Sequence, residues 1–235
     1  RRPLPERRAV VAATRAEARA ALREAPEALR PLSGAPEPVF VFAGQGAQRA
    51  GMARDLRAAE PAFRETLDAC LDLAPAELDL AALLLDPAGG ARIHETRAAQ
   101  PALFALELAL ARMWIARGVV PVALIGHSVG ELTAACLAGI MDLQDGMRLA
   151  LARGALMQAC PRGAMLSAML SEAEATGALP EGVELAAVNG PRSVTLAGPE
   201  DAVAALAAGF ERSGVGCRRL QTSHAFHSAA MDPAV

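Results

Sequence analysis

The chain has 235 residues, 53% hydrophobic and 21% charged, with a net charge of −3. That is enough apolar sequence to bury a core and excludes a disordered chain, and a mildly acidic balance without a dense basic run beyond the first residues argues against nucleic acid as the main partner. No apolar run reaches the length of a membrane span and the N-terminus has no signal-peptide core, so a cytoplasmic protein without a membrane partner is expected.

Residues 1–36 differ from the rest. Arg1 to Arg8 is basic and proline-containing, Val10 to Arg30 is rich in Ala, Arg and Glu and reads as helix, and Pro31 to Pro36 is a break. This is the composition of a connector from a preceding domain. Val39 to Phe42 is a short buried strand that ends in Ala43-Gly44-Gln45-Gly46-Ala47-Gln48, a loop whose glycines allow close backbone approach to a ligand. Helices follow at 52–58 and 61–73, then a long one from Pro101 to Arg117, with proline suited to its first turn and Gly118 to its end. Val119 to Ile125 reads as the next strand, Glu131 to Ala138 as helix, and Leu143 to Gln158 as a helix capped by Asp142.

From residue 163 the rhythm changes. Strands are predicted at Ala164–Leu170, Val183–Val188, Ser193–Ala197 and Val215–Gln221, with helices at Ser171–Gly177 and Pro199–Ser213 and a turn at Asn189–Arg192. The order β-α-β-β-α-β is ferredoxin-like. The expected fold class is α/β: a large α/β-hydrolase-like subdomain with a parallel sheet, and a ferredoxin-like subdomain inserted into it. The boundaries are 1–36 linker, 37–159 large subdomain, 160–221 small subdomain, and 222–235 return to the large one.

The chemistry centres on Gly126-His127-Ser128-Val129-Gly130. A strand entering a helix through G-x-S-x-G is a nucleophile elbow: the tight turn exposes the serine at a helix N-terminus, where unpaired N–H groups favour developing negative charge. Serine needs a base, and His227 in Thr222-Ser223-His224-Ala225-Phe226-His227-Ser228 is the candidate, because imidazole titrates near neutrality. Sequence also leaves His227 open as an ordinary surface histidine. The oxyanion would sit on the N–H groups of Val129 and Gln45, although Gln45 reads equally well as a polar turn residue. Arg153 shares a helical face with Leu149, Leu156 and Met157, where a guanidinium needs an anion: either a protein carboxylate or a substrate carboxylate held in a bidentate fork. Cys70, Cys136, Cys160 and Cys217 lack C-x-x-C spacing and the four histidines lack a metal-ligand pattern. No metal or redox cofactor is expected.

With these residues in place, the chain from Val39 onward resembles the acyltransferase domains of type I polyketide synthases, relatives of malonyl-CoA:acyl carrier protein transacylases. The likeness rests on FAGQGAQ (42–48), TRAAQPALFALELALARMW (96–114), GHSVGELTAACLAG (126–139), AAVNGPRSVTLAGP (186–199) and SHAFHSAAMDP (223–233). It implies an acylated Ser128, His227 as general base, Gln45 and Val129 as oxyanion-hole donors, and Arg153 on the carboxylate of the extender unit. It further implies that Gln100, His127, His224 and Phe226 line the substrate site. The expected partners are malonyl-CoA, an acyl carrier protein and a ketosynthase joined through residues 1–36. An HAFH sequence and an aliphatic Val129 accompany malonyl selectivity in the family, whereas Y-A-S-H accompanies methylmalonyl. The family domain continues past HAFH, so a truncated large subdomain is expected. A serine hydrolase and a non-catalytic docking fragment are the alternatives.

Overall fold

The computed structural model describes residues 9–24, 37–177 and 179–235. The chain divides into two units, 1–38 and 39–235. In the first, helix α1 spans Arg15–Arg23 and starts at a capping box, with Thr14 accepting from the Glu17 N–H and Glu17 reaching back to the Thr14 N–H. The predicted helix at 10–30 therefore begins five residues too early, because Val10 to Ala13 precede the cap; its last part, 25–30, lies outside the described residues.

The second unit opens with strand β1 (Val39–Phe42), which pairs in parallel with β2 (Ala123–Gly126) from Val39↔Ala123 to Phe42↔Gly126. Between them run α2 (Arg54–Ala59), α3 (Pro61–Leu71), α4 (Leu80–Leu85) and α5 (Thr96–Ala116). After β2 come α6 (Gly130–Leu137) and α7 (Leu143–Ala159), the latter capped by Asp142 accepting from the Asp145 N–H. A core of Phe63, Leu67, Leu84, Phe104, Leu108 and Met147 holds these helices together. One apolar side of the strand pair, at Val39, Val41 and Ile125, is exposed.

The remaining elements are β3 (Ala164–Ala168), α8 (Glu172–Thr176), β4 (Glu184–Gly190), β5 (Ser193–Gly198), α9 (Glu200–Arg212) and β6 (Cys217–Arg219). Their sheet has the order β4-β5-β3-β6 with antiparallel neighbours, as the ferredoxin-like pattern requires. Leu166, Leu196, Val203 and Phe210 form its own core. A third cluster, containing Met157, Met165, Phe226 and Met231, joins this sheet to α7 and the C-terminal turn.

Several boundaries differ from the sequence reading. Helix α5 begins at Thr96 and runs through Pro101, because Thr96, Ala98, Ala99 and Gln100 are buried and tertiary contact outweighs the donor that proline lacks. The strand predicted at 119–125 forms only over Ala123–Gly126. Pro121 brings no N–H to a ladder, and Val120 and Val122 are exposed. Helix α4 was not foreseen, since Leu80-Ala81-Ala82-Leu83-Leu84-Leu85 is apolar without a period. The β4–β5 turn is tighter than predicted, with Gly190 paired to Ser193 across Pro191-Arg192.

Helix α7 corrects the face assigned to Arg153. Leu149 and Leu156 are exposed, and the buried stripe is Gly146, Met147, Ala150, Gly154 and Met157. The helices approach closely at the glycines: a Cβ on Gly146 would come within 2.5 Å of the Phe104 ring, and one on Gly154 within 2.9 Å of the Thr96 carbonyl. Apolar bulk is thus displaced to the outer side of α7. Arg153 sits beside the stripe, half-buried against α5.

Candidate active site

The turn between β2 and α6 leaves no room for side chains at its glycines. A Cβ on Gly126 would lie 2.1 Å from the Glu131 nitrogen, and one on Gly130 would lie 2.6 Å from the Phe42 oxygen. The His127 N–H donates to the Phe42 carbonyl (3.0 Å), and the Gly126 N–H donates to Glu131 Oε1 (2.9 Å), which closes the turn. Ser128 is forced to φ 53°, the left-handed region that ordinary side chains avoid. This is the strained geometry of a nucleophile elbow.

The Ser128 hydroxyl meets two groups from distant parts of the chain. His227 Nε2 lies 3.0 Å from Oγ, although the residues are 99 positions apart. Arg153 Nη2 donates to the same oxygen at 3.2 Å, and Arg153 Nη1 donates to Gln100 Oε1 at 2.5 Å. Burial lowers the Arg153 pKa from its ordinary value. Among the described residues no carboxylate pairs with it. The protein-carboxylate alternative for Arg153 therefore has no support in this site.

A relay of side chains continues from Arg153. Gln100 Nε2 donates to Thr96 Oγ1 (2.9 Å), whose hydroxyl donates to Gln45 Oε1 (2.7 Å). Among the described residues, the main-chain N–H groups of Gln45 and Val129 make no hydrogen bond. Two unpaired donors thus flank the serine.

These residues surround a cavity of about 260 Å³. Gln45, Gln100, His127, Val129 and Arg153 line it from the helical side, and Phe226 and His227 from the C-terminal segment. His224 does not line it. It is 2% exposed, lies behind Phe226 with ring centroids 5.7 Å apart, and its Nδ1 is 2.7 Å from Ser223 Oγ. Its contact is with the wall of the cavity, which it braces. The small sheet supplies a floor that sequence reasoning missed: Met165, Ser167, Asn189 and Thr195. Ser167 and Thr195 are cross-strand partners, and Asn189 Nδ2 donates to Thr195 Oγ1 (3.0 Å). Met165 and Ser167 are two apart on β3 and so share one face, but nothing local indicates which face meets Ser128.

Two further residues escaped the sequence reading. Thr96 joins Gln100 to Gln45. Glu107 on α5 is 8% exposed and accepts from the Ala43 N–H (Oε1, 2.7 Å) and from the Thr133 hydroxyl (Oε2, 3.2 Å). Burial pushes its carboxyl up to about 7 against these two donors. The available signal was a lone carboxylate within the apolar run from Pro101 to Ala111.

A serine within hydrogen-bond reach of an imidazole, beside unpaired N–H donors and a guanidinium, suits acyl transfer. Residues 39–235 match the acyl transferase domain family. The chain belongs to that family. Relatives of this acyl transferase chain include the type I phenolphthiocerol synthesis polyketide synthase Pks15/1 of Mycobacterium marinum, 46% identical over 199 residues. That match covers 82% of the chain and 9% of the relative, so the chain spans a small part of the curated relative. The acyltransferase domain from the second module of the salinomycin polyketide synthase shares its fold with a TM-score of 0.80 and 43% identity, over 93% of this chain and 53% of that one. The malonyl CoA-acyl carrier protein transacylase of Coxiella burnetii aligns with a TM-score of 0.75 and 31% identity, over 83% of this chain and 65% of its own. The two-part α/β architecture of the acyl transferase chain is that of these neighbours. Among the described residues, no helix is long and apolar enough to cross a membrane.

Proposed function

We propose that this chain is the acyltransferase part of a polyketide synthase that moves a malonyl unit from CoA to the phosphopantetheine thiol of an acyl carrier protein. The observation that carries this reading is Arg153: a half-buried guanidinium without a carboxylate partner among the described residues, hydrogen-bonded to the oxygen of a serine paired with histidine. Such a cation favours a carboxylated acyl group, which a plain hydrolase of uncharged esters has no use for. One structural neighbour is a malonyl-transacylase in complex with its acyl carrier protein, which supports the choice of partner.

In this mechanism the malonyl carboxylate lies on Arg153 and the thioester carbonyl over Ser128. His227 Nε2 takes the Oγ proton as Oγ bonds to the carbonyl carbon. The oxyanion is stabilised by the Gln45 and Val129 N–H groups. Collapse breaks the C–S bond, and the imidazolium returns its proton to the CoA sulfur. The carrier thiol then attacks the malonyl-serine ester by the reverse sequence. Residues 1–36 act as the connector from a ketosynthase, 37–159 as the large subdomain, 160–221 as the small one, and 222–235 as the return to the large one, in a cytoplasmic synthase.

Malonyl is favoured over methylmalonyl by Phe226, which is buried, braced by His224 and part of the cavity wall. A fixed aromatic wall leaves little space for an α-methyl. One methyl is worth about 1–3 kcal/mol of discrimination, or about 10–200-fold. The test is intact-mass measurement after incubation with equimolar malonyl-CoA and methylmalonyl-CoA, with and without a phosphopantetheinylated carrier. A malonyl adduct in excess, discharged to the carrier thiol faster than to water, is expected. Discharge to water alone would make the protein a hydrolase, and equal adducts would remove the selectivity.

The His227 pKa is lowered, first by desolvation and then by the positive charges of Arg153 and His127. The neutral base then persists below the ordinary histidine value of about 6.5. The acid limb of the acylation rate is expected below that pH, with activity lost only as pH falls through the depressed value. Removing the Arg153 charge shifts the limb upward. Stopped-flow pH profiles with acetyl-CoA as donor measure this in both forms, and coincident limbs would contradict it.

A further inference from the structure

We propose that Glu107 is a positioning residue for the oxyanion loop, its carboxylate fixing the main chain at Ala43 while Thr96 on the same helix fixes the side chain of Gln45. The inference rests on the acyl-serine reading above and concerns how α5 sets the direction of the Gln45 N–H.

Thr96, Gln100 and Glu107 are spaced four and seven residues apart, so they form one stripe along α5. Each binds a different part of the site. Glu107 Oε1 accepts from Ala43 N at 2.7 Å, at the residue where the chain leaves β1. Thr96 holds Gln45 Oε1, two residues on. Gln48 Oε1 accepts from Gly46 N at 2.7 Å, and its amide lies 3.2 Å from His94 Nδ1, which ties the far side of the loop. The Gln45 N–H lies between these anchors and is itself unpaired among the described residues. The other oxygen of Glu107, Oε2, accepts from Thr133, a buried residue of α6, the helix that begins immediately after Val129. One carboxylate therefore spans the segments bearing both proposed oxyanion donors.

A buried carboxylate is a costly way to fill this position. An apolar side chain of the same volume avoids the desolvation penalty and is often as stable or more so. An anchor from α5 also has a geometric advantage. Gly44 lies so close to His127 that a Cβ there would be 2.5 Å from the His127 ring, so a small drift of the loop would press on the residue before the nucleophile.

The test compares Glu107→Met and Glu107→Gln in the full-length protein, with wild type and Ser128→Ala alongside. Met keeps the bulk without an acceptor; Gln keeps an acceptor for the Ala43 N–H. Loss of one oxyanion donor reduces kcat by about 10²–10³-fold. E107M is expected to lose kcat by about that factor. Its KM for malonyl-CoA and its malonyl-to-acetyl preference, set by Arg153, should stay within about threefold of wild type, and E107Q should recover most of the rate. An E107M enzyme within tenfold of wild-type kcat would overturn the inference. So would a loss of malonyl preference as large as the loss of rate, which indicates a general loosening of the site. If E107M fails to fold, E107Q decides: a rate near wild type with KM unchanged supports the anchor, and an E107Q rate as low as that of S128A overturns it. A wild-type protein that takes no acyl group overturns the acyl-serine reading and this inference together, whereas an active wild type matched by E107M overturns only the inference.

Discussion

Ser128→Ala is expected to abolish acyl-enzyme formation, with kcat for transfer about 10⁴–10⁶-fold below the parent. The hydroxyl is the shared contact of His227 Nε2 and Arg153 Nη2, and alanine removes it without adding bulk to the strained turn. His227→Ala should cost a similar factor, because Oγ is a weak nucleophile with its proton in place. The double variant should be little worse than either single one, since residues that act as a unit are not additive. Single-turnover labelling with radiolabelled malonyl-CoA, followed by peptide mapping, measures this. Label retained by the alanine variant, or mapped to a peptide without residue 128, would reject Ser128 as the nucleophile.

Arg153→Ala should lower kcat/KM for malonyl-CoA by about 10²-fold, the effect of removing a buried charged hydrogen-bonding partner worth about 3 kcal/mol. Acetyl-CoA has no carboxylate to lose, so its use should be unchanged or improved. Arg153→Lys should fall between, because a point charge cannot present a planar fork and cannot reach Gln100 and a substrate carboxylate in the same way. Alanine removes a guanidinium that burial disfavours but also leaves the buried Gln100 Oε1 without its donor, so thermal unfolding is followed alongside. Parallel measurements of both donors and of thermal unfolding separate the readings. Equal losses for the two donors, or a loss that follows unfolding, would make Arg153 structural.

What could be read in advance followed the distance over which each residue acts. The elbow was legible because its strand, turn and helix are contiguous, and the β-α-β-β-α-β order fixed a sheet whose neighbours follow from topology. Gln45, Ser128, Arg153 and His227 were named from motifs, and the structure brings these four to one cavity. The face of Arg153 is not legible from leucine spacing, because close helix packing at Gly146 and Gly154 needs the small residues inside and leaves Leu149 and Leu156 exposed. His224 shares the HAFH segment with cavity-lining residues, but the chain turns at 226–227, so Phe226 lines the cavity and His224 lies buried behind it. Thr96 and Glu107 were illegible because their partners, Gln45 and Ala43, are 51 and 64 positions away. A buried carboxylate acquires meaning only when its donors are known.

Three non-glycine residues among those described have a left-handed backbone: Asp79, Ser128 and His227. Such a conformation costs about 1–2 kcal/mol for a residue with a Cβ. Asp79 offsets its cost locally, since its side chain caps α4 through the Ala82 N–H. Ser128 and His227 instead direct their side chains at each other, so neither side chain caps its own turn. Selection for heat resistance alone would therefore favour glycine at the two positions proposed to carry the chemistry. On the proposed acyl-serine reading, a library screened only for surviving fold would drift toward inert proteins, and stabilising the chain without losing transfer requires that both positions be held fixed while the rest varies.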